Sequence, residues 1–466
     1  MKTINLFITL LFLTIISKAQ IITSNLGLND NADCIAIQND GKIVIGGSIP
    51  NSITEDNSII FMRFKTDGTL DASFGVNGVD TLPDIDYTEY KVKSIKITSD
   101  NKILFVVAES SIQSDLFPVI GRLNANGTLD NTFGTDGFVS FASIDLGFND
   151  FKASKGLFLS DGSIIVAGTA DNDFAFIKVN PNGTINTTIG INGLAIKKST
   201  AYDLAYTAGL GQNDDIYIGG LTETDKVTAS RHFAITRFLS NGKVDSSFGT
   251  NGLVITTMGF TDQIKSLFVQ PDNSVIAYGD IKKIESTYNK LGIVKYSEIG
   301  TLDKTFGSNG IFTMQLPDSL TIFSSKMIVL PDNNFLVEST VSSNSNKYIG
   351  ICLVRINGNG TIDNTFGSNG LVFINTKEYK SLAEDLIATS NNKILLCGKA
   401  VANKSISDPD FMILGLNYDG SISDNLSTDV KEYFAQDITL YPNPTLSSFS
   451  VDTDKDVLIQ IYSING

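Results

Sequence analysis

GTLDASFGVNG, residues 68–78, is the phrase that decides the fold. It returns as GTLDNTFGTDG from Gly127, GTINTTIGING from Gly183, GKVDSSFGTNG from Gly242, GTLDKTFGSNG from Gly300 and GTIDNTFGSNG from Gly360, at intervals of 56 to 60 residues. A period this long, repeated this often, points to a solenoid or a propeller. The residue before the last Gly is always Asn or Asp, the pair a tight hairpin turn prefers. The phrase therefore joins two strands, with its aliphatic and its Phe (Leu70 and Phe74 in the first copy) turned inward; only the third copy replaces Phe, with Ile189.

Around each phrase lie four apolar runs of strand length. Strand A follows a turn and ends in small residues: NDGKIVIGG from Asn39, SDGSIIVAG from Ser160, NDDIYIGG from Asn213, PDNSVIAYG from Pro271 and NNKILLCG from Asn391, with looser copies from Ser99 and Pro331. Strand B precedes the phrase, as in IIFMRF from Ile59. Strand C follows it, as in GLVIT from Gly252, and strand D comes next, as in KVKSIKIT from Lys91. The chain after the leader begins with a C and a D, runs through six A-B-C-D sets and ends with an A and a B. The two half-sets complete each other, which closes a ring and leaves no open sheet edge. The expected fold is all-β: a seven-bladed β-propeller of four-stranded blades, closed by pairing of the N-terminal and C-terminal strands. A linear solenoid is the alternative, but it calls for capping repeats rather than complementary halves.

A base stands eight residues before the Asp of most phrases: Arg63 with Asp71, Arg122 with Asp130, Arg237 with Asp245, Lys295 with Asp303 and Arg355 with Asp363. The third unit has Lys178 with Asn186, and a degenerate seventh has Gly415 with Ser423. An element present in every repeat answers a folding need, so these pairs are expected to form a structural clamp; a ring of binding sites is the functional alternative.

Strands alternate in direction. The phrase and the short D–A turn should share one face, and the A–B and C–D loops the other. That second face does not repeat, and variable loops on a rigid scaffold are where binding lives. Its aromatic and acidic residues, Asp84, Asp86, Tyr87, Tyr90, Phe148, Phe151, Tyr202, Phe260 and Tyr379, form the candidate binding face for a glycan or a protein partner. The competing reading is that each simply covers a sheet edge.

Composition narrows the function. The formal charge is −15, and losing Lys2 and Lys18 with a leader takes it to −17. An acidic surface repels phosphate backbones, so nucleic acid and anionic membrane are poor partners. Residues 1–19 read as a cleaved signal peptide: Lys2, an apolar run from Ile4 to Ile16, and Ser17-Lys18-Ala19 before Gln20. No segment is long and apolar enough for a transmembrane helix. Cys34, Cys352 and Cys397 lie in apolar strands and read as buried free thiols. His232, the only His, has no nucleophile motif beside it. No spacing indicates a metal site or cofactor; Asp452, Asp454 and Asp456 alternate as in a calcium loop but lack its Gly and distal Glu. Carboxylates abound without one pair being marked out, so a polysaccharide-acting hydrolase or lyase stays open beside a binding role.

The period stops near Val430. The run Leu440-Tyr441-Pro442-Asn443-Pro444-Thr445, then Phe449-Ser450-Val451, then Ile459 to Gly466, resembles the C-terminal sorting domain of the type IX secretion system of the Bacteroidota, without the further strands members carry after that Gly. The resemblance implies export across the outer membrane by the type IX machinery, with release or anchoring at the surface. The repeated phrase resembles the delta-60 repeat over most of residues 21 to 428, which implies a propeller and no particular activity. The expected organisation is a signal peptide at 1–19, a propeller at 20–428 and a truncated sorting domain at 429–466, in a secreted or cell-surface binding or structural module.

Overall fold

The computed structural model describes residues 21–24, 30–50, 57–82, 90–109, 118–140, 151–225, 230–282, 290–315, 320–343, 349–374, 379–402, 409–421, 440–441 and 450–451. Contacts divide the chain into two compact units, Met1–Asp429 and Val430–Gly466. In the second, Leu440–Tyr441 pairs antiparallel with Ser450–Val451. The signal peptide and the Asp452–Asp456 alternation lie outside the described residues.

The first unit is built of antiparallel sheets. One holds Asn31–Ile37, Ile43–Pro50, Asn57–Phe64 and Val79–Thr81 in chain order. The same order recurs in Phe151–Phe158 to Leu194–Lys197 and in Leu320–Val329 to Leu371–Ile374. Tyr202–Leu210 to Leu253–Thr256 and Thr261–Val269 to Ile311–Met314 form two more such sets, joined by a single parallel bridge from Arg231 to Thr261. Among the described residues the second set has three strands, Tyr90–Ile97, Ile103–Glu109 and Val119–Leu123; its strand C shrinks to a bridge from Phe138 to Gly121. The last sheet combines Tyr379–Ala388, Lys393–Ala402 and Pro409–Asn417 with Ile21–Ser24 from the other end of the chain, Ile21 opposite Leu414.

This corrects the grouping read from the sequence. A sheet runs D-A-B-C, not A-B-C-D, so the last sheet already owns its D strand and borrows one N-terminal strand rather than two. The B–C phrase returns the chain along its own sheet, whereas the C-to-D connection carries it on to the next.

A separate apolar core lies between successive sheets. Val44, Phe61 and Phe74 pack on Val92 and Phe105 between the first and second sets. The first set also packs on the last: Ile35, Ile45 and Met62 meet Leu395, Cys397, Phe411 and Ile413. Cys34, Cys352 and Cys397 are all free and buried. Strand D is innermost, because the D strands of successive sets contact one another, and the first, Asn31–Ile37, contacts the last, Tyr379–Ala388.

Candidate functional site

The repeated phrase builds a joint between sheets. Asn77 and Gly78 both have positive φ, 54° and 97°, and Val76 and Val79 bond across them, which is the two-residue hairpin that Asn-Gly favours. Upstream, the two oxygens of Asp71 do different work. Oδ1 accepts the Ser73 amide (3.1 Å) and hydroxyl (2.7 Å), folding the chain locally. Oδ2 accepts Arg63 Nε at 2.9 Å. Arg63 then reaches on: Nη2 donates to Ser73 Oγ at 3.0 Å, Nη1 to the carbonyl of Ala125 in the next set, and the guanidinium lies 4.9 Å from the Phe74 ring centre. The Gly75 amide donates to Asn126 O at 2.8 Å, a second bond into the next set.

The joint repeats. Arg122 Nε meets Asp130 at 2.6 Å and its Nη1 the Pro181 carbonyl at 3.3 Å. Arg237 pairs with Asp245 and bonds the Glu298 carbonyl at 2.7 Å. Lys295 lies 3.0 Å from Asp303. Arg355 lies 3.0 Å from Asp363 and bonds the Tyr418 carbonyl at 2.8 Å. Each phrase carries Ser or Thr two residues after its Asp or Asn, and each of these caps that side chain; the sequence displays this position although the spacing of charges draws attention first. In the third phrase Asn186 keeps the cap to Thr188 (2.6 Å), but among the described residues neither Lys178 nor Gly190 makes the bond to the next set. Lys42 and Lys102, both in D–A turns, come within 3.4 Å of Asp71 and 2.8 Å of Asp130, so those turns share the face of the phrase.

Burial pushes the Asp71 carboxyl up, but the Ser73 hydroxyl and amide, with the charges of Arg63 and Lys42, outweigh it and hold it at about 2. Asp130 is held lower still by Lys102, Thr132 and Arg122 acting against its burial.

The inner strands hold a different arrangement. Each carries one extra residue relative to strand A: Asp33, Lys93, Ser154, Tyr206, Lys265, Phe323 and Glu384 in turn. A bulge of this kind leaves the extra residue out of the ladder and re-aims its side chain. Strand A answers with glycine in five sets: a Cβ on Gly47 or Gly220 would run into the carbonyl oxygen of Asn31 or Leu204. The two looser strand A copies place Val107 and Val341 there instead.

Five of the bulge residues, Lys93, Ser154, Tyr206, Lys265 and Glu384, line one cavity of about 220 Å³, together with Lys155, Thr207, Ser266, Lys326, Glu338 and Ala383. A second, of about 260 Å³, adjoins it at Lys155 and runs along Ser94–Lys96 and Gly156–Phe158 toward the D–A turns. Lys326 pairs with Asp385, and Lys91 with Glu384 at 3.3 Å. Among the described residues Lys93, Lys155 and Lys265 have no carboxylate partner; Lys265 instead lies 5.0 Å from the Tyr206 ring centre. Burial and the charge of Lys155 lower Lys326 to about 8, and burial likewise lowers Lys93 and Lys265. Burial, then the Glu384 charge, push Glu338 well up, and burial lifts Asp33 to about 7 against Lys91 and the Val92 amide.

The face proposed from the sequence fares unevenly. Asp84, Asp86, Tyr87 and Phe148 lie outside the described residues, as does the side chain of Tyr379. Tyr90 is 1% exposed and Phe151 2% exposed. Both are core residues that open inner strands, which removes them from any binding face. Tyr202 and Phe260 are half-buried. His232 Nε2 stands 3.2 Å from Ser230 Oγ, and among the described residues its Nδ1 has no partner, whereas a catalytic base is oriented by a carboxylate there. Among the described residues no three His, Cys, Asp or Glu side chains cluster to hold a metal, and no helix is long and apolar enough to cross a membrane.

A family described as a β-propeller domain of unknown function matches at residues 38–74, 98–133 and 159–188. Each match runs from a D–A turn through strands A and B into a phrase. The chain is a β-propeller. No curated protein matches the propeller in sequence. Similar solved structures include a protein of unknown function from Dyadobacter fermentans, 12% identical, TM-score 0.45, covering 84% of this chain and 97% of that one. Another is the propeller domain of the Trilobed protease from Pyrococcus furiosus, 10% identical, TM-score 0.44, covering 89% and 99%. A third is Drosophila plexin A in complex with semaphorin 1b, 9% identical, TM-score 0.38, covering 84% and 87%. None is near enough to carry a function across.

Proposed function

We propose that this chain is a secreted or cell-surface module that binds or scaffolds, with adhesion or glycan binding as its role. The scaffold is a closed ring of seven four-stranded blades of the delta-60 kind, held shut by the strand Ile21–Ser24 in the last blade. The leader at residues 1–19 takes it out of the cytoplasm, and the tail from residue 429 addresses it to the type IX secretion machinery. One observation carries the binding role: on the phrase face Arg63, Arg122 and Arg355 are each paired with a carboxylate, whereas Lys93, Lys155 and Lys265 in the inner cavity make no ion pair among the described residues. Rigid walls around unsatisfied, converging groups are what a recognition site needs.

The second reading, an extracellular polysaccharide-acting hydrolase or lyase, draws on Glu338, a buried carboxyl pushed up at the cavity wall. A glycan array on the purified protein, with product analysis of every hit, separates the two. Retention without turnover supports the module and turnover supports the enzyme. If the array stays blank and the protein is not retained on whole cells, the adhesion role is wrong.

A further inference from the structure

The whole chain is acidic, at −15, yet its centre gathers lysines. Elsewhere in the molecule buried bases are answered by carboxylates, as at Arg63, Arg122 and Arg355. Lys93, Lys155 and Lys265 are not, although all three are half-buried and face one cavity. Like charges brought together without contact ion pairs destabilise a fold, so a purely structural role would have paired them or replaced them with neutral residues. Two of the three, Lys93 and Lys265, occupy inner-strand bulges, where the backbone itself turns the side chain out of the ladder.

We propose that the central cavity is a binding site for a small polyvalent anion, one carrying carboxylate or phosphate groups, held by Lys93, Lys155 and Lys265. The volume of about 220 Å³, at roughly 30 Å³ per water, holds about seven waters, or a molecule the size of citrate or a sugar phosphate. The cavity has no Arg, whose planar fork would select one carboxylate geometry; ammonium groups act as point charges and suit several anionic oxygens at once. Lys265 is held over the Tyr206 ring, which fixes its direction before any ligand arrives. Tyr206 and Ser154 add hydroxyl groups for the uncharged part of the ligand. Asp385 and Glu384 are engaged by Lys326 and Lys91; the charges of Asp33 and Glu384 on Lys93, and of Asp280 on Lys265, act from beyond ion-pair distance. This proposal rests on the reading of the inner cavity as the binding site and names its ligand class; a blank glycan array beside a saturable citrate titration would remove the glycan role and leave the anion site standing.

The test is titration calorimetry on the full chain at low salt, with citrate, glucose 6-phosphate, inorganic phosphate and neutral glucose as probes. Saturable one-to-one binding of at least one anion and none of glucose is expected; citrate against glucose 6-phosphate tells a carboxylate ligand from a phosphate one. Lys93→Met and Lys265→Met should each weaken that binding tenfold or more. Both variants should melt at or above the temperature of the parent, since each removes a repelled charge; this also shows that they fold. Lys243→Met, on the phrase face, should bind as the parent does. The proposal is overturned if no anion gives a saturable heat, if sodium chloride at equal ionic strength reproduces the effect, or if binding survives in the Lys93→Met, Lys265→Met double variant.

Discussion

The phrase face and the inner cavity repeat in opposite ways. On the phrase face the side chains repeat: in five of the six phrases Asp stands at one position, Ser or Thr two later and Phe three later, and each of those five bonds into the next blade through its Gly amide. In the inner strands only the backbone repeats, one bulge per strand, and the seven residues at that bulge share no chemistry. Where side chains repeat, they serve the fold, because every blade meets the same mechanical demand. Where geometry repeats and chemistry does not, the scaffold presents a set of positions free to specialise.

Arg63→Ala should break the first half of this comparison most severely. It takes from Asp71, which is 4% exposed, its nearer charge partner, leaving Lys42 at 3.4 Å, and cuts the bond to Ala125. Breaking a buried pair outright costs about 3–5 kcal/mol; with Lys42 still beside the carboxylate, urea unfolding should read a loss at the lower end of that range. A loss below about 1 kcal/mol would mean that the pair is ornamental.

The joint between the third and fourth blades offers the converse. Lys178→Arg with Asn186→Asp and Ile189→Phe restores what the other phrases carry. The combined change should raise stability by about 1–2 kcal/mol, the scale of one or two charge-assisted hydrogen bonds. In the parent, hydrogen exchange should find the Gly190 amide less protected than Gly75 or Gly134, which donate across their joints. Equal protection at all three would remove the idea of a weak seam.

Acid titration isolates the charge in the joint. The Asp71 pKa is depressed in the folded state, so its contribution is fully present above its unfolded value near 4 and is lost as pH falls toward about 2. Asp71→Asn should therefore lower stability at pH 7 and flatten the fall between pH 4 and 2. An unchanged acid limb would exclude Asp71 as its source.

The smallest effect belongs to the cavity. Lys155→Met should shift stability by less than about 0.5 kcal/mol, or raise it slightly, as expected where a residue serves recognition rather than folding. A loss of 2 kcal/mol or more in the melting analysis would put Lys155 among the structural residues.

The period and the eight-residue spacing of Arg63 and Asp71 are legible because strand B and the phrase fold back on each other, so partners in space stay near in sequence. The bulges are not legible in that way. A bulge is defined by what lies opposite, and Asp33, Lys93, Ser154, Tyr206, Lys265, Phe323 and Glu384 look unrelated until strand A is laid beside them. A trace was present: the five tight strand A copies end in the glycine that the bulge requires, and the two loose ones do not. Tyr90 misleads for a related reason. It follows a stretch of sequence that does not repeat and looks like loop chemistry, but it is the first residue of an inner strand and its ring belongs to the core.

The strand Ile21–Ser24 has a consequence in time. It is made well before its partners Phe411 to Leu414, with 393 positions (414 − 21) between Ile21 and Leu414. At synthesis rates of roughly 5–20 residues per second, it waits on the order of 20–80 s for them. Throughout that delay Ile21–Ser24 has no strand to pair with and the last sheet is unfinished. The chain's architecture thus contains its own clock, whose final tick waits for Phe411 to Leu414.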